Sequence, residues 1–140
     1  MSRMIFVNLP VVDLPASLAF YEAIGGRQNP HFSDETAACM VLSEAIHVML
    51  LTHGKFRQFT PRPVADARAA SEVLLCLSLD GRAEIDAVVD RAVAAGGRAD
   101  PGPPQDHGFM ASRSVEDPDG HIWELMWMDP AAVPPDAQAA

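Results

Sequence analysis

Cysteine, positive charge and long apolar runs are all scarce in this chain. The 140 residues include two cysteines, Cys39 and Cys76, and neither belongs to a C-x-x-C pair or a cysteine/histidine metal spacing. That excludes a disulfide framework and a zinc-finger-type site. Both cysteines lie in apolar runs (AACMVL and LLCLSL) and are read as small buried hydrophobes. Lysine and arginine total 10 against 19 acidic residues, a net charge of −9. A surface of that sign does not follow a phosphate backbone, so no nucleic-acid partner is expected. No apolar run approaches the ~18 residues of a membrane span, and MSRMIFVNLPVVDLP lacks signal-peptide organisation. The expectation is a cytoplasmic protein with no membrane partner.

What the chain does have is a core's worth of apolar residues, 49% of the total with mean hydropathy of +0.05. It also has a pattern stated twice. MIFVNLPVV is followed by Asp13, a helix-like stretch and Gly25-Gly26; VLLCLSL is followed by Asp80, a second helix-like stretch and Gly96-Gly97. Two copies of this length are too few and too long for a solenoid. They predict one domain over 1–130 made of two duplicated halves, about 4–52 and 73–128. A cleft between duplicated halves is a natural small-molecule site.

Each half reads strand–helix–strand–strand–strand. In the first, Ile5, Val7, Leu9 and Val11 share one strand face, and Met4, Phe6, Asn8 and Pro10 the other. Asp13 is the expected N-cap, Pro15 sits where a missing N–H costs least, and Leu14, Leu18, Tyr21 and Ile24 form the buried helix face. Strands are expected at 27–33, 36–42 and 46–52, the last two joined by Ser43-Glu44-Ala45. Residues 53–72 are polar and proline-interrupted, a connection long enough to be a lid or binding loop. In the second half, Asp80 opens a helix whose inner face is Ile85, Val88, Val89, Ala92 and Val93. A loop over 101–108, a strand over 109–115, the turn Asp117-Pro118-Asp119-Gly120 and a last strand over 121–128 follow. Residues 131–140 have no amphipathic pattern and are expected to be a disordered tail. The fold class is therefore α+β: duplicated βαβββ modules, an eight-strand curled cup and two outer helices.

The last strand carries the sharpest chemical clue. Alternation places Glu124 on one face with Ile122, Met126 and Met128, and His121, Trp123, Leu125 and Trp127 on the other. A carboxylate among apolar side chains must be paired, hydrogen-bonded, metal-bound or protonated. It is either a cavity-lining group or the partner of an arginine at a sheet edge or dimer contact. His121 then faces away from the cavity, whereas His47 and His53 share the Met49 face. His107 lies in a loop able to close over a ligand, and His31 reads as exposed. Asn8 interrupts an apolar strand, so it either satisfies backbone locally or meets a ligand. Lys55, Arg57, Arg62 and Arg68 form either a solvated linker or a basic lip for an anion. Phe56 and Phe59 dock that connection or line its lip.

The run DPDGHIWEL, the start D-L-x-x-S-x-x-F-Y and the duplication resemble the vicinal oxygen chelate superfamily, the group of glyoxalase I, bleomycin-resistance proteins and extradiol dioxygenases. The resemblance covers roughly residues 4–130. It implies a homodimer, a small-molecule ligand and, in enzymatic members, one divalent metal (Fe, Mn, Ni, Zn or Mg) held by one residue from the first and last strand of each half. Carried over, Glu124 matches one ligand position. The other three fall at Phe6, near Leu74, and at Met49 or Leu50, which do not match. Phenylalanine and leucine cannot bind a metal, and methionine suits soft ions.

The expected function is therefore a glyoxalase/bleomycin-resistance-like protein holding a small organic ligand in an apolar cup without the full metal site. Glu124 is the principal polar or catalytic group, accompanied by Phe6, Asn8, His47, Met49 and His107. One alternative is a metal-dependent glyoxalase- or dioxygenase-like enzyme in which Glu124 and His47 or His53 hold the ion. Another is Glu-based acid/base chemistry, and a third is a structural dimer with no ligand.

Overall fold

The computed structural model of the chain describes residues 3–132. Its strands are β1 (Ile5–Val11), β2 (Arg27–Asn29), β3 (Ala37–Val41), β4 (Ile46–Thr52), β5 (Leu75–Ser78), β6 (Arg98–Ala99), β7 (Gln105–Asp106), β8 (Met110–Glu116) and β9 (Ile122–Met128). Its helices are α1 (Leu14–Ala23), α2 (His53–Phe56) and α3 (Ala83–Ala94). The strands form two sheets, ordered β1-β4-β3-β2 and β5-β9-β8-β6, with β7 pairing β8. In each sheet the half's first strand runs parallel to its last, and the remaining pairs are antiparallel. The duplication read from the sequence is thus the topology of the molecule, and the fold class is the expected α+β cup of two βαβββ modules. β7 is an addition to the expected eight strands, a two-residue pairing inside the predicted 101–108 loop.

Local chemistry explains most element boundaries. The Asp13 carboxylate accepts from the Ala16 N–H at 3.1 Å and caps α1. Gly25 ends that helix at a φ of 109°. A Cβ at Gly97 would lie 2.6 Å from the Phe20 ring and 2.9 Å from two carbonyl oxygens, so only glycine lets half two approach α1 this closely.

Several expectations need correction. The 27–33 strand stops at Asn29, because Pro30 turns the chain into a single 3₁₀ turn that the Asn29 side chain caps. Asp80 does not cap the second helix: α3 begins at Ala83, with Arg82 at the cap position and no side-chain cap bond. Val93 faces solvent at 44% exposure. The 53–72 connection opens with α2, capped by the Thr52 hydroxyl, so His53 starts a helix instead of continuing β4. Phe59 does not dock; it is exposed, with the Lys55 ammonium 5.6 Å from its ring. Of the expected tail, 131 and 132 lie in a 3₁₀ turn, and the rest falls outside the described residues.

One hydrophobic core spans both halves. Leu9, Phe20, Tyr21, Val48 and Leu50 of half one meet Val88, Val89, Val115, Trp123 and Leu125 of half two. All of these strand residues lie on the face of their sheet that carries the helices. The opposite, helix-free face of each sheet carries neither α1 nor α3.

Candidate ligand site

Strand register specifies the helix-free faces residue by residue. In half one, Val7, Leu9 and Val11 pack against the core, so Phe6, Asn8 and Pro10 point the other way. Their register partners on β4 are His47, Met49 and Leu51, and Met49 in turn pairs Cys39. In half two, Trp123 and Leu125 are buried in the core and Glu124, Met126 and Met128 face away. Glu124 is flanked by Cys76 on β5 and Ser114 on β8; Met126 is flanked by Ser78 and Ser112.

The two hairpins relate the halves position by position. Their closing pairs are Val41–His47 and Glu116–Ile122, which equates His47 with Ile122 and Met49 with Glu124. Asn8 pairs Met49 and Cys76 pairs Glu124, so Asn8 corresponds to Cys76 and Phe6 to Leu74. Phe6, Leu74, Met49 and Glu124 are thus the four equivalent positions of the two faces, and Glu124 is the sole hard-ion ligand among them. No group of three or more His, Cys, Asp or Glu among the described residues is arranged to hold a metal ion. The donor set does not fit the four-ligand site that the resemblance implies.

Glu124 is half-buried, and its carboxylate makes no hydrogen bond or ion pair among the described residues. No arginine among the described residues answers it. Its charge is felt by Cys76: desolvation, and then the Glu124 carboxylate, push that thiol above its ordinary range. Cys76 itself is exposed, not the core residue expected, because β5 is an edge strand that turns Leu75 and Leu77 inward instead. Cys39 is buried as expected.

His47 is the second unsatisfied group. Its ring stacks on Phe6 with centroids 4.6 Å apart, and it is 8% exposed. Nε2 lies 3.2 Å from the Glu44 carbonyl and so donates to it, leaving Nδ1 as a buried acceptor with no donor among the described residues. A buried polar atom without a partner calls for an explanation, and a ligand donor supplies one.

The structure gathers Phe6, Asn8, His47 and Met49 on one face and places Glu124 on the equivalent face of the other sheet. His107 is elsewhere, in the loop between β7 and β8 beside Phe109. His31 is exposed in the 3₁₀ turn. A cavity of about 520 Å3 continues from the helix-free faces along the free edge of β1, roofed by the connection between the halves. Asn8, Pro10, Phe56, Arg62, His121 and Ile122 line it. Of the basic lip, Arg62 reaches this cavity, whereas Arg68 is tied to the Pro118 carbonyl. Sequence reasoning put Cys76 in the core and missed its place beside Glu124. Its signal was present in the alternation of LLCLS, which sets Cys76 opposite in phase to Leu75 and Leu77.

A buried network joins the halves behind the faces. The Tyr21 hydroxyl donates to the Asp117 carboxylate at 2.7 Å and accepts from the Trp123 indole N–H at 3.0 Å. Asp117 also accepts from the backbone N–H groups of Asp119 and His121. Asp119 accepts from the Val12 N–H, and the His121 ring bonds the Pro10 carbonyl at 2.8 Å. His121 is therefore a tie between halves as well as a wall of the β1 cavity.

Comparison with known proteins agrees with this architecture. A model of the Glyoxalase/Bleomycin resistance protein/Dioxygenase superfamily matches residues 3–125. Among solved structures, a hypothetical protein, SA1046, from S. aureus superposes with a TM-score of 0.74 at 23% identity, covering 91% of this chain and 94% of that one. A glyoxalase/bleomycin resistance protein/dioxygenase family enzyme from Burkholderia phytofirmans gives 0.73 at 17% identity over 91% and 99%. The fosfomycin resistance protein FosX from Mesorhizobium loti gives 0.62 at 18% identity over 100% and 97%. No curated protein sequence matches the chain. At these identities the structural likeness speaks to the fold alone. No helix among the described residues is long and apolar enough to cross a membrane.

Proposed function

Because the chain belongs to the glyoxalase/bleomycin resistance/dioxygenase superfamily, we propose that it holds a small organic ligand against its helix-free faces, without the four-ligand metal site of enzymatic members. The observation that carries this reading is Glu124, a half-buried carboxylate with no hydrogen-bond or ion-pair partner among the described residues, set among apolar and small polar side chains. A group in that situation costs stability unless something answers it, and a ligand in the cup would do so. His47 Nδ1 supports the same reading from the other face, with Phe6, Asn8 and Met49 forming the surrounding wall. His107 belongs to a loop at the edge of the half-two sheet and closes over the ligand from there.

The exposed residues at the start of each half's first strand also favour a homodimer. Ile5 and Phe6 are 56% and 49% exposed, and the equivalent residues of half two, Val73 and Leu74, are 54% and 58% exposed. Matched apolar pairs of this kind on both halves suit a self-complementary contact with a second copy. In that assembly the cup consists of half one of one protomer and half two of its partner.

The test is metal content of the untagged protein purified without chelator, paired with melts in added Mn²⁺, Fe²⁺, Ni²⁺, Zn²⁺ and Mg²⁺. The reading predicts no stoichiometric metal and no melting shift. A rise with one ion that Glu124→Ala abolishes would overturn it in favour of a metal-dependent enzyme, with Glu124 and His47 as the first residues to examine.

A further inference from the structure

We propose that the ligand is an organic cation with a flat aromatic body, bound on the helix-free face of half two. The inference rests on reading that face as the ligand site and names the chemistry the site selects.

Charge comes first. Two carboxylates lie on the face, Glu116 and Glu124. Glu116 is answered by Arg98 at 3.1 Å; Glu124 is answered by nothing among the described residues. The neighbouring Cys76 thiol is held in its neutral form by desolvation and by Glu124 itself, so it adds no second negative charge. The flanking Ser112 and Ser114 are neutral, and Ser114 already accepts from the Gly102 N–H. The face therefore presents a single uncompensated negative charge on a chain of net charge −9. A cation gains from both the local pairing and the long-range field, and an anion loses by both.

Shape and polarizability come second. Met126 and Met128 follow Glu124 along β9, and Met110 is the register partner of Met128. Met126 beside the carboxylate and the Met128–Met110 pair beyond it make a flexible, polarizable floor that runs away from the charge. Such side chains adapt to a planar ring and make favourable sulfur–aromatic contacts. One fixed charge beside an adaptable apolar surface is how a site orients an amphiphilic ligand by its polar end.

The experiment uses the full chain and three naphthalene probes that differ only in their polar end: 2-naphthylmethylammonium, 2-naphthylmethanol and 2-naphthoate. Binding is measured by calorimetry at low and at high salt, with wild type, Glu124→Gln and Met126→Ala. The ammonium should bind at least tenfold tighter than the alcohol, and the carboxylate weakest. Glu124→Gln should erase the ammonium's advantage and leave the alcohol unchanged; Met126→Ala should weaken both. Salt should weaken only the ammonium. Equal binding of ammonium and alcohol, both sensitive to Met126→Ala, would overturn the cation inference while keeping the face as the ligand site. Tightest binding by naphthoate, lost on Arg62→Gln, would move the ligand to the β1 cavity and overturn the inference. Absence of binding by all three would overturn both the inference and the proposed site.

Discussion

The turn that joins the last two strands does little in half one and clamps the molecule together in half two. Ser43-Glu44-Ala45 closes its hairpin through backbone bonds between Ser43 and Ile46. Asp117-Pro118-Asp119-Gly120 closes its hairpin and also binds Tyr21, Ser17 and the Val12 N–H of half one. The sheets show the same asymmetry. At equivalent positions half one carries Asn8 and Met49, and half two carries Cys76 and Glu124. Duplication preserved what the core requires, namely strand order, helix placement and the paired glycines. It left the turns and the helix-free faces free to diverge. The unequal parts of a duplicated domain are therefore where its function should be sought.

The largest effect should come from breaking the clamp. Asp117→Ala leaves the Tyr21 hydroxyl and two backbone N–H groups without their acceptor in a buried setting. It should destabilise the protein by about 3 kcal/mol in urea titrations. Glu44→Ala, in the equivalent turn, should change stability by no more than about 0.5 kcal/mol. Equal effects would mean that the two turns do the same work. Next comes Gly97→Ala, whose new methyl would meet the Phe20 ring and two carbonyl oxygens. Its expected cost is about 2 kcal/mol, read as a lowered urea midpoint.

Most of the scaffold was legible in the sequence because its signals are local. Asp13 and Pro15 announce a helix start, Gly25 announces its stop, and IHVMLLT can be little other than a strand. What escaped was set by neighbours. Arg82 replaces Asp80 at the α3 cap through the geometry of the preceding loop, and β7 exists only because β8 is there to pair with it. Cys76 reads as core from its apolar neighbours, and the edge position of β5 exposes it. For the site, alternation alone placed Glu124 and Met49 on their faces. Only register could equate them across the halves, and only three-dimensional packing could reveal that Glu124 and His47 Nδ1 have no partner among the described residues.

A smaller change would make the two faces alike. Glu124→Met gives half two the residue that half one has at the equivalent position. Removing a half-buried, partnerless carboxylate should raise stability by about 0.5–1 kcal/mol, seen as a higher melting temperature. The same variant should lose the proposed ammonium binding. A gain in stability with loss of binding is the mark of a residue kept for its ligand. Loss of stability would instead make Glu124 part of the scaffold.

The smallest effect concerns acid, and it separates two aspartates of half two. Hydrogen bonds from Arg113 hold the Asp100 carboxyl below its ordinary range, while burial pushes Asp117 above its own, against the pull of His121 and the donors around it. A lowered folded-state pKa means that the Asp100–Arg113 pair contributes stability above the unfolded value. That contribution is lost as pH falls through the lower folded one. Asp117 has the opposite sign: its titration favours the fold at pH below its unfolded value, and that advantage disappears as pH rises through the raised folded one. Asp100→Asn should therefore cost about 0.5 kcal/mol at neutral pH, the scale of a solvent-accessible pair. It should also flatten the decline of stability on acidification, measured by urea titrations from neutral pH to below the ordinary carboxylate range. A decline as steep as wild type would assign the acid sensitivity to other carboxylates and leave the Arg113 pair without a role in it.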